Sequence, residues 1–190
     1  MPTPRPTKQL CVIALCVWGG PLVAQSSQPA DGRLLRAGID SFTVSYGGQV
    51  IGRAVQVTEK TVEGGVGAWK QTYVFTGSGG DLSTDTLLMD GISLRPLREA
   101  RVNSLGCFTV AFTPREVVTI SQVANAKPLT QRAPIDGPIF SSAALDAVVR
   151  ALPLRDGLAT TIAFFYPVPS DRGTCDINLE VQRSPRYRVL

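Results

Sequence analysis

The sequence predicts a mainly β fold: an antiparallel curved sheet or half-barrel meander with one α-helix packed on the concave face. Three observations carry that prediction. Apolar and polar residues alternate in short runs that recur about every 8 to 12 residues, the spacing of half-buried strands joined by turns. Glycine pairs, Gly47-Gly48 and Gly64-Gly65, separate runs where a tight hairpin needs positive φ. One stretch changes period, with Leu145, Val148, Val149 and Leu152 at i, i+3, i+4 and i+7, the spacing of one helix face.

Order is expected to begin near Ile39. Phe42-Thr43-Val44-Ser45-Tyr46 alternates, Gly47-Gly48 turns the chain, and residues 50–59 complete a hairpin. After Glu63-Gly64-Gly65, a strand presents Trp69, Gln71, Tyr73 and Phe75 on one face, and Thr76-Gly77-Ser78-Gly79-Gly80 breaks it. Residues 83–90 and 92–102 read as strands on either side of Gly91, with Pro96 at an edge or bulge because it lacks a donor. Residues 107–113 and 117–123 follow as a pair. Residues 124–140, with Pro128, Pro134, Gly137 and Pro138, have no sustained period and read as a loose segment. Ser141 or Ser142 can cap the helix and Pro153 ends it, after which residues 160–166 and 175–183 return to strand alternation.

The length of 190 residues allows one domain, and 44% apolar against 18% charged residues is enough to bury a core. The expected organisation is a signal peptide over 1–24, a polar spacer over 25–38 and a single β-rich domain over 39–190. Arg5 and Lys8 give the positive start, residues 10–18 the apolar run, Gly19-Gly20-Pro21 the helix break, and Ala24 a small residue for cleavage before Gln25. The run is about half the roughly 20 residues a spanning helix needs, so no stable transmembrane anchor is expected. Bulky Leu15 before Cys16 argues against lipid attachment. The expected location is periplasmic or extracellular after cleavage.

The sequence has no histidine, which removes Ser-His-Asp and Cys-His catalysis, histidine zinc sites and imidazole switching. A serine nucleophile would need a lysine, and Lys60, Lys70 and Lys127 sit in no motif that supplies one. Gly77-Ser78-Gly79-Gly80-Asp81 lacks the following helix and Gly-Lys-Ser/Thr of a phosphate loop. Asp81, Asp85 and Asp90 would spread over about 25 Å of extended chain, which suits turns better than calcium. No catalytic residue, cofactor or metal is therefore expected, and the protein reads as a non-enzyme. The formal charge of +4 falls to +2 when Arg5 and Lys8 leave with the signal. Arg95, Arg98 and Arg101, and likewise Arg183, Arg186 and Arg188, lie among acidic residues such as Glu99 and Glu180, so no nucleic-acid partner is expected.

Cys107 and Cys175 remain after cleavage, and an oxidising compartment would let a disulfide persist. Cys107 lies opposite the Phe108, Val110 and Phe112 face, whereas Cys175 shares the face of Ile177, Leu179 and Val181. A bond needs Cα atoms within about 7 Å, so a disulfide and two separate thiols both stay open.

Trp69, Tyr73, Phe75, Phe108 and Phe112, with Leu145 and Val149 from the helix, are the candidate lining of an apolar cavity, or else they fill a core. The function expected is an exported envelope protein binding an apolar or lipid-like small molecule. The alternative is a protein-interaction or envelope-assembly module that meets an envelope protein partner through an exposed sheet edge. A pocket above about 300 Å³ beneath the helix favours the first, and a filled interior beside a long free edge the second.

Two stretches carry a resemblance. Ser83-Thr84-Asp85-Thr86-Leu87-Leu88-Met89-Asp90 with Ser93-Leu94-Arg95-Pro96-Leu97-Arg98, and Leu145-Asp146-Ala147-Val148-Val149-Arg150-Ala151-Leu152-Pro153-Leu154-Arg155-Asp156-Gly157, resemble the exported bacterial family called domain of unknown function 3108. The resemblance implies a β-rich, half-barrel-like exported domain similar to lipoprotein-carrier folds, with no catalytic residues. Set against that family, the chain is expected to stop early, at Tyr187-Arg188-Val189-Leu190, leaving a sheet edge open.

Overall fold

A computed structural model describes residues 30–123, 125–135, 137–154 and 158–166, together with the backbone of Gly173–Glu180. The expected signal segment with Cys11 and Cys16, residues 25–29 of the spacer, the Asp156-Gly157 turn, the Cys175 side chain, and Arg183, Arg186 and Arg188 lie outside the described residues.

Eight strands follow one another in sequence order across a single antiparallel sheet: β1 (Gly38–Tyr46), β2 (Gln49–Glu63), β3 (Val66–Gly77), β4 (Leu82–Asp90), β5 (Pro96–Asn103), β6 (Gly106–Phe112), β7 (Glu116–Val123) and β8 (Leu129–Pro134). The meander does not close, so β1 and β8 are its edges. A second sheet has β9 (Phe140–Ser141) parallel to β10 (Ala159–Tyr166), which pairs antiparallel with β11 (Gly173–Glu180). Parallel neighbours need a crossover. Here it contains a 3-10 turn at Ser142–Ala144 and helix α1 (Leu145–Arg150).

The predicted class holds: mainly β and antiparallel, with one short α-helix among the described residues. The hairpins form where the glycine pairs stand, with Gly47 and Gly48 at φ +57° and +81° and Gly64 and Gly65 at +58° and +83°. Two consecutive positive φ values are the turn whose twist matches the flanking strands. Three expectations need correction. The loose segment 124–140 contains β8 and the first residue of the two-residue β9, whose short lengths and flanking prolines hide any period. Residues 92–95 are a turn rather than the start of a strand, because Asp90 Oδ1 accepts from the amides of Ile92 (3.1 Å) and Ser93 (2.7 Å) and from the Ser93 hydroxyl (2.7 Å). Those bonds hold the Asp90 carboxyl below its usual range, the Ser93 amide contributing most.

The third correction concerns the spacer. Residues 30–37 belong to the fold: Ala30 and Leu35 are buried in the main core, Asp31 donates its amide to the Ala151 carbonyl, and Gly32 donates to that of Ile92. Gly32 and Gly91 approach so closely that a Cβ on Gly32 would collide with the Gly91 carbonyl, which only glycine avoids. Trp69 Nε1 closes the arrangement by donating to the Gly32 carbonyl at 3.0 Å.

The two sheets share a core in which Trp69, Leu87, Met89 and Leu94 meet Phe140, Ala147, Val148, Ile162 and Phe164. A smaller cluster joins Val110 and Val117 to Ile135, Ile139 and Phe165, with Phe108 and Phe112 packed against it. α1 is rotated from the face its apolar spacing predicts: Val148 and Leu152 are buried as expected, but Leu145 and Val149 turn outward. Ala144, Ala147, Val148 and Ala151 are fully buried, while Leu145 is 36% exposed and Val149 half-buried. Alanines let the helix approach closely, and they do not register as a hydrophobic stripe. Val148→Ala should therefore cost about 2 to 3 kcal/mol in urea unfolding, and Leu145→Ala within about 1 kcal/mol. Equal losses would return the helix to the expected phase.

Candidate functional site

Cross-strand register brings one polar row across the helix-facing side of the large sheet. Gln56 on β2 lies opposite Tyr73 on β3, Tyr73 opposite Asp85 on β4, and Asp85 opposite Arg101 on β5. The adjacent row runs Thr58, Gln71, Leu87, Glu99 and Val110. Period-2 alternation puts all of these on the same side. On β2 it buries polar residues in place of apolar ones: Gln56 and Thr58 are buried, while Val55 points to the other, exposed face.

α1 and its preceding turn stand over this row without filling the space beneath. An open cleft of about 600 Å³ remains, floored by Gln56, Gln71, Tyr73, Asp85, Leu87 and Arg101. Its helix wall is Ser142, Ala143, Leu145, Asp146 and Val149, and Tyr166 of β10 closes one side. Gln56 Nε2 donates to Asp146 Oδ2 at 2.8 Å, tying floor to helix. Asp146 also accepts from Arg150 Nε at 3.0 Å, and Arg150 reaches Asp40 of β1 at 2.8 Å. The wall is thus pinned to two strands by charge-assisted bonds.

Arg101 and Asp85 form a two-bond pair, Nε to Oδ1 at 2.5 Å and Nη2 to Oδ2 at 2.6 Å, with the guanidinium 5.0 Å from the Phe108 ring centroid. Parallel bonding of this kind fixes both planes. Tyr73, beside Asp85, has its phenol pushed above the usual range by burial and then by that carboxylate, so it stays a neutral donor.

Glu99 lies deeper. It is 1% exposed, its Oε2 accepts from the Ser141 hydroxyl at 2.5 Å, and its Oε1 is buried without a hydrogen-bond partner. Burial raises its carboxyl above the usual range, opposed in part by Ser141 and Arg101. Ser141 in turn accepts from the Ala143 amide at 3.1 Å, so the same hydroxyl starts the turn into α1.

Of the expected lining residues, Tyr73, Leu145 and Val149 line the cleft. Trp69 does not: it is 2% exposed within the core, held by its bond to Gly32, so its emission is not a direct reporter of the cleft. Phe75 packs over Gly52, where a Cβ would strike its ring. Phe108 and Phe112 belong to the second cluster, Phe112 meeting Phe165 edge-on at 6.0 Å. The lining is consequently mixed rather than purely apolar, because the rows that alternation sends inward carry glutamine, aspartate and arginine. Cys107 is an exposed thiol on the opposite sheet face. Gln56 and Asp146 had no signal in the sequence, whereas Gln71 had one in sharing the strand face of Tyr73. Asp85 and Arg101 had a weak one, since pairing 83–90 with the following strand sets them opposite each other.

A second hollow of about 590 Å³, around the turn between β6 and β7, is lined by Thr113, Pro114, Arg115, Glu116, Arg132 and Pro134. Arg132 is bound to Glu116 there, and five of its six lining residues are exposed.

No family model, curated protein or solved structure matches the chain.

Proposed function

We propose that this is an exported, non-enzymatic protein that binds a small molecule with an apolar body in the cleft between α1 and the sheet. The single observation behind the reading is the cleft. Its volume of about 600 Å³ lies within the range of small-molecule sites, and separate parts of the fold converge on it with a few polar groups among apolar walls. Leu87, Ala143, Leu145 and Val149, with the rings of Tyr73 and Tyr166, give the body its contacts. Leu145 is over a third exposed, and covering it is a gain that a ligand can supply.

The test uses the neutral fluorescent probe N-phenyl-1-naphthylamine, whose emission rises in apolar surroundings. Saturable binding at micromolar concentration is expected. Val149→Trp, which fills the cleft from the helix side, should weaken it at least ten-fold while the unfolding midpoint stays close to that of the parent. Binding untouched by Val149→Trp would place the site elsewhere. Interaction through a sheet edge keeps one support as a second reading: β1 is a nine-residue edge without Pro or Lys, and exposes Ile39 and Tyr46. That role needs no cleft and would survive Val149→Trp.

A further inference from the structure

We infer that the cleft selects a ligand whose polar head is uncharged and carries both a hydrogen-bond donor and an acceptor, such as an amide, in preference to a carboxylate or an ammonium group. The inference rests on the cleft being a binding site and concerns what it admits.

The argument is one of charge and of commitment. Among the described residues, three charged side chains line the cleft, Asp85, Asp146 and Arg101. Arg101 is already engaged through two short parallel bonds to Asp85. Asp146 is answered by Arg150 and by the Gln56 amide, but Arg150 also serves Asp40. A carboxylate head would face two aspartates, and the lone lining cation has its partner fixed. It would have to break the pair or sit beside it uncompensated, and burying an unpaired charge is costly. An ammonium head would sit against the Arg101 guanidinium, with the nearest carboxylate equally committed. The remaining lining polar groups are Gln56, Gln71, Ser142, Tyr73 and Tyr166; Gln56 already donates to Asp146 and Gln71 to Thr58 Oγ1 at 3.4 Å, and each amide keeps a second N–H and its carbonyl oxygen. An uncharged head with one donor and one acceptor matches them and leaves the ion pair intact. A head with neither would strip water from these groups without replacement. A free fatty acid, the simplest lipid-like ligand, is therefore the wrong chemistry for this cleft.

Displacement of bound N-phenyl-1-naphthylamine at neutral pH by octanamide, octanoate and octylamine tests this with one chain length and three heads. Octanamide should displace the probe at a concentration at least ten-fold below either charged compound. In Asp85→Asn the guanidinium loses its partner, so octanoate should gain at least ten-fold relative to octanamide. The comparison of heads in the parent protein stands even if Asp85→Asn fails to fold. Octanoate matching or beating octanamide in the parent, or an unchanged ratio in a folded Asp85→Asn, would overturn the inference while leaving the cleft a binding site. Absence of probe binding sensitive to Val149→Trp would overturn the binding reading, and this inference with it.

Discussion

Trp69→Ala should lower the stability of the protein by about 3 to 5 kcal/mol, the usual range for removing a large buried aromatic. The side chain is 2% exposed and packs in the core shared by both sheets and α1. Its loss leaves a void and also strips the Gly32 carbonyl of the indole donor at 3.0 Å, an unpaired buried acceptor being a further cost. Trp69→Phe keeps most of the apolar contact but not the N–H, and should cost about 1 to 2 kcal/mol. Urea unfolding of both variants separates packing from hydrogen bonding. Losses below about 1 kcal/mol for Trp69→Ala would mean that residues 30–35 do not dock on the sheet.

The second large effect is a pH dependence centred on Glu99. Its carboxyl is raised in the fold, so the folded protein binds that proton more tightly than the unfolded chain does. Below the ordinary carboxyl range the group is neutral in both states and carries no penalty. As pH rises, the unfolded chain releases the proton while the fold must keep it or bury a charge, so stability falls until the raised folded value is passed. Because the sequence has no histidine, little else titrates between pH 5 and 8. A fall in stability across that window is expected, and Glu99→Gln should abolish the slope. Unfolding curves at pH 5, 6.5 and 8 decide it, and a slope that persists in Glu99→Gln would assign it to another group.

Much of the large sheet was legible because its signals are local. The paired glycines announce two hairpins, and the placement of Trp69, Gln71, Tyr73 and Phe75 on one face follows from alternation alone. Opposite phases likewise set Cys107 away from Phe108 and Val110. What escaped was decided by distant partners. Gln56 is buried because Asp146, 90 positions later, receives its amide. The helix phase turned on Ala144, Ala147 and Ala151, residues too small to mark a stripe but small enough to let α1 settle on the core. The second sheet depends on a two-residue strand, β9, which no pattern of alternation can reveal. The cleft inherits both difficulties, its walls coming from helix phase and its floor from inward-facing polar residues.

The most direct measurement of the central claim is a methyl carbon–proton NMR titration of the folded protein with octanamide. Shifts concentrated on Leu87, Leu145 and Val149, with Val110 and Val117 of the second cluster unmoved, are the expected result. Shifts centred on Val110 and Val117, or none at millimolar ligand, would contradict the assignment of the cleft beneath α1 as the binding site.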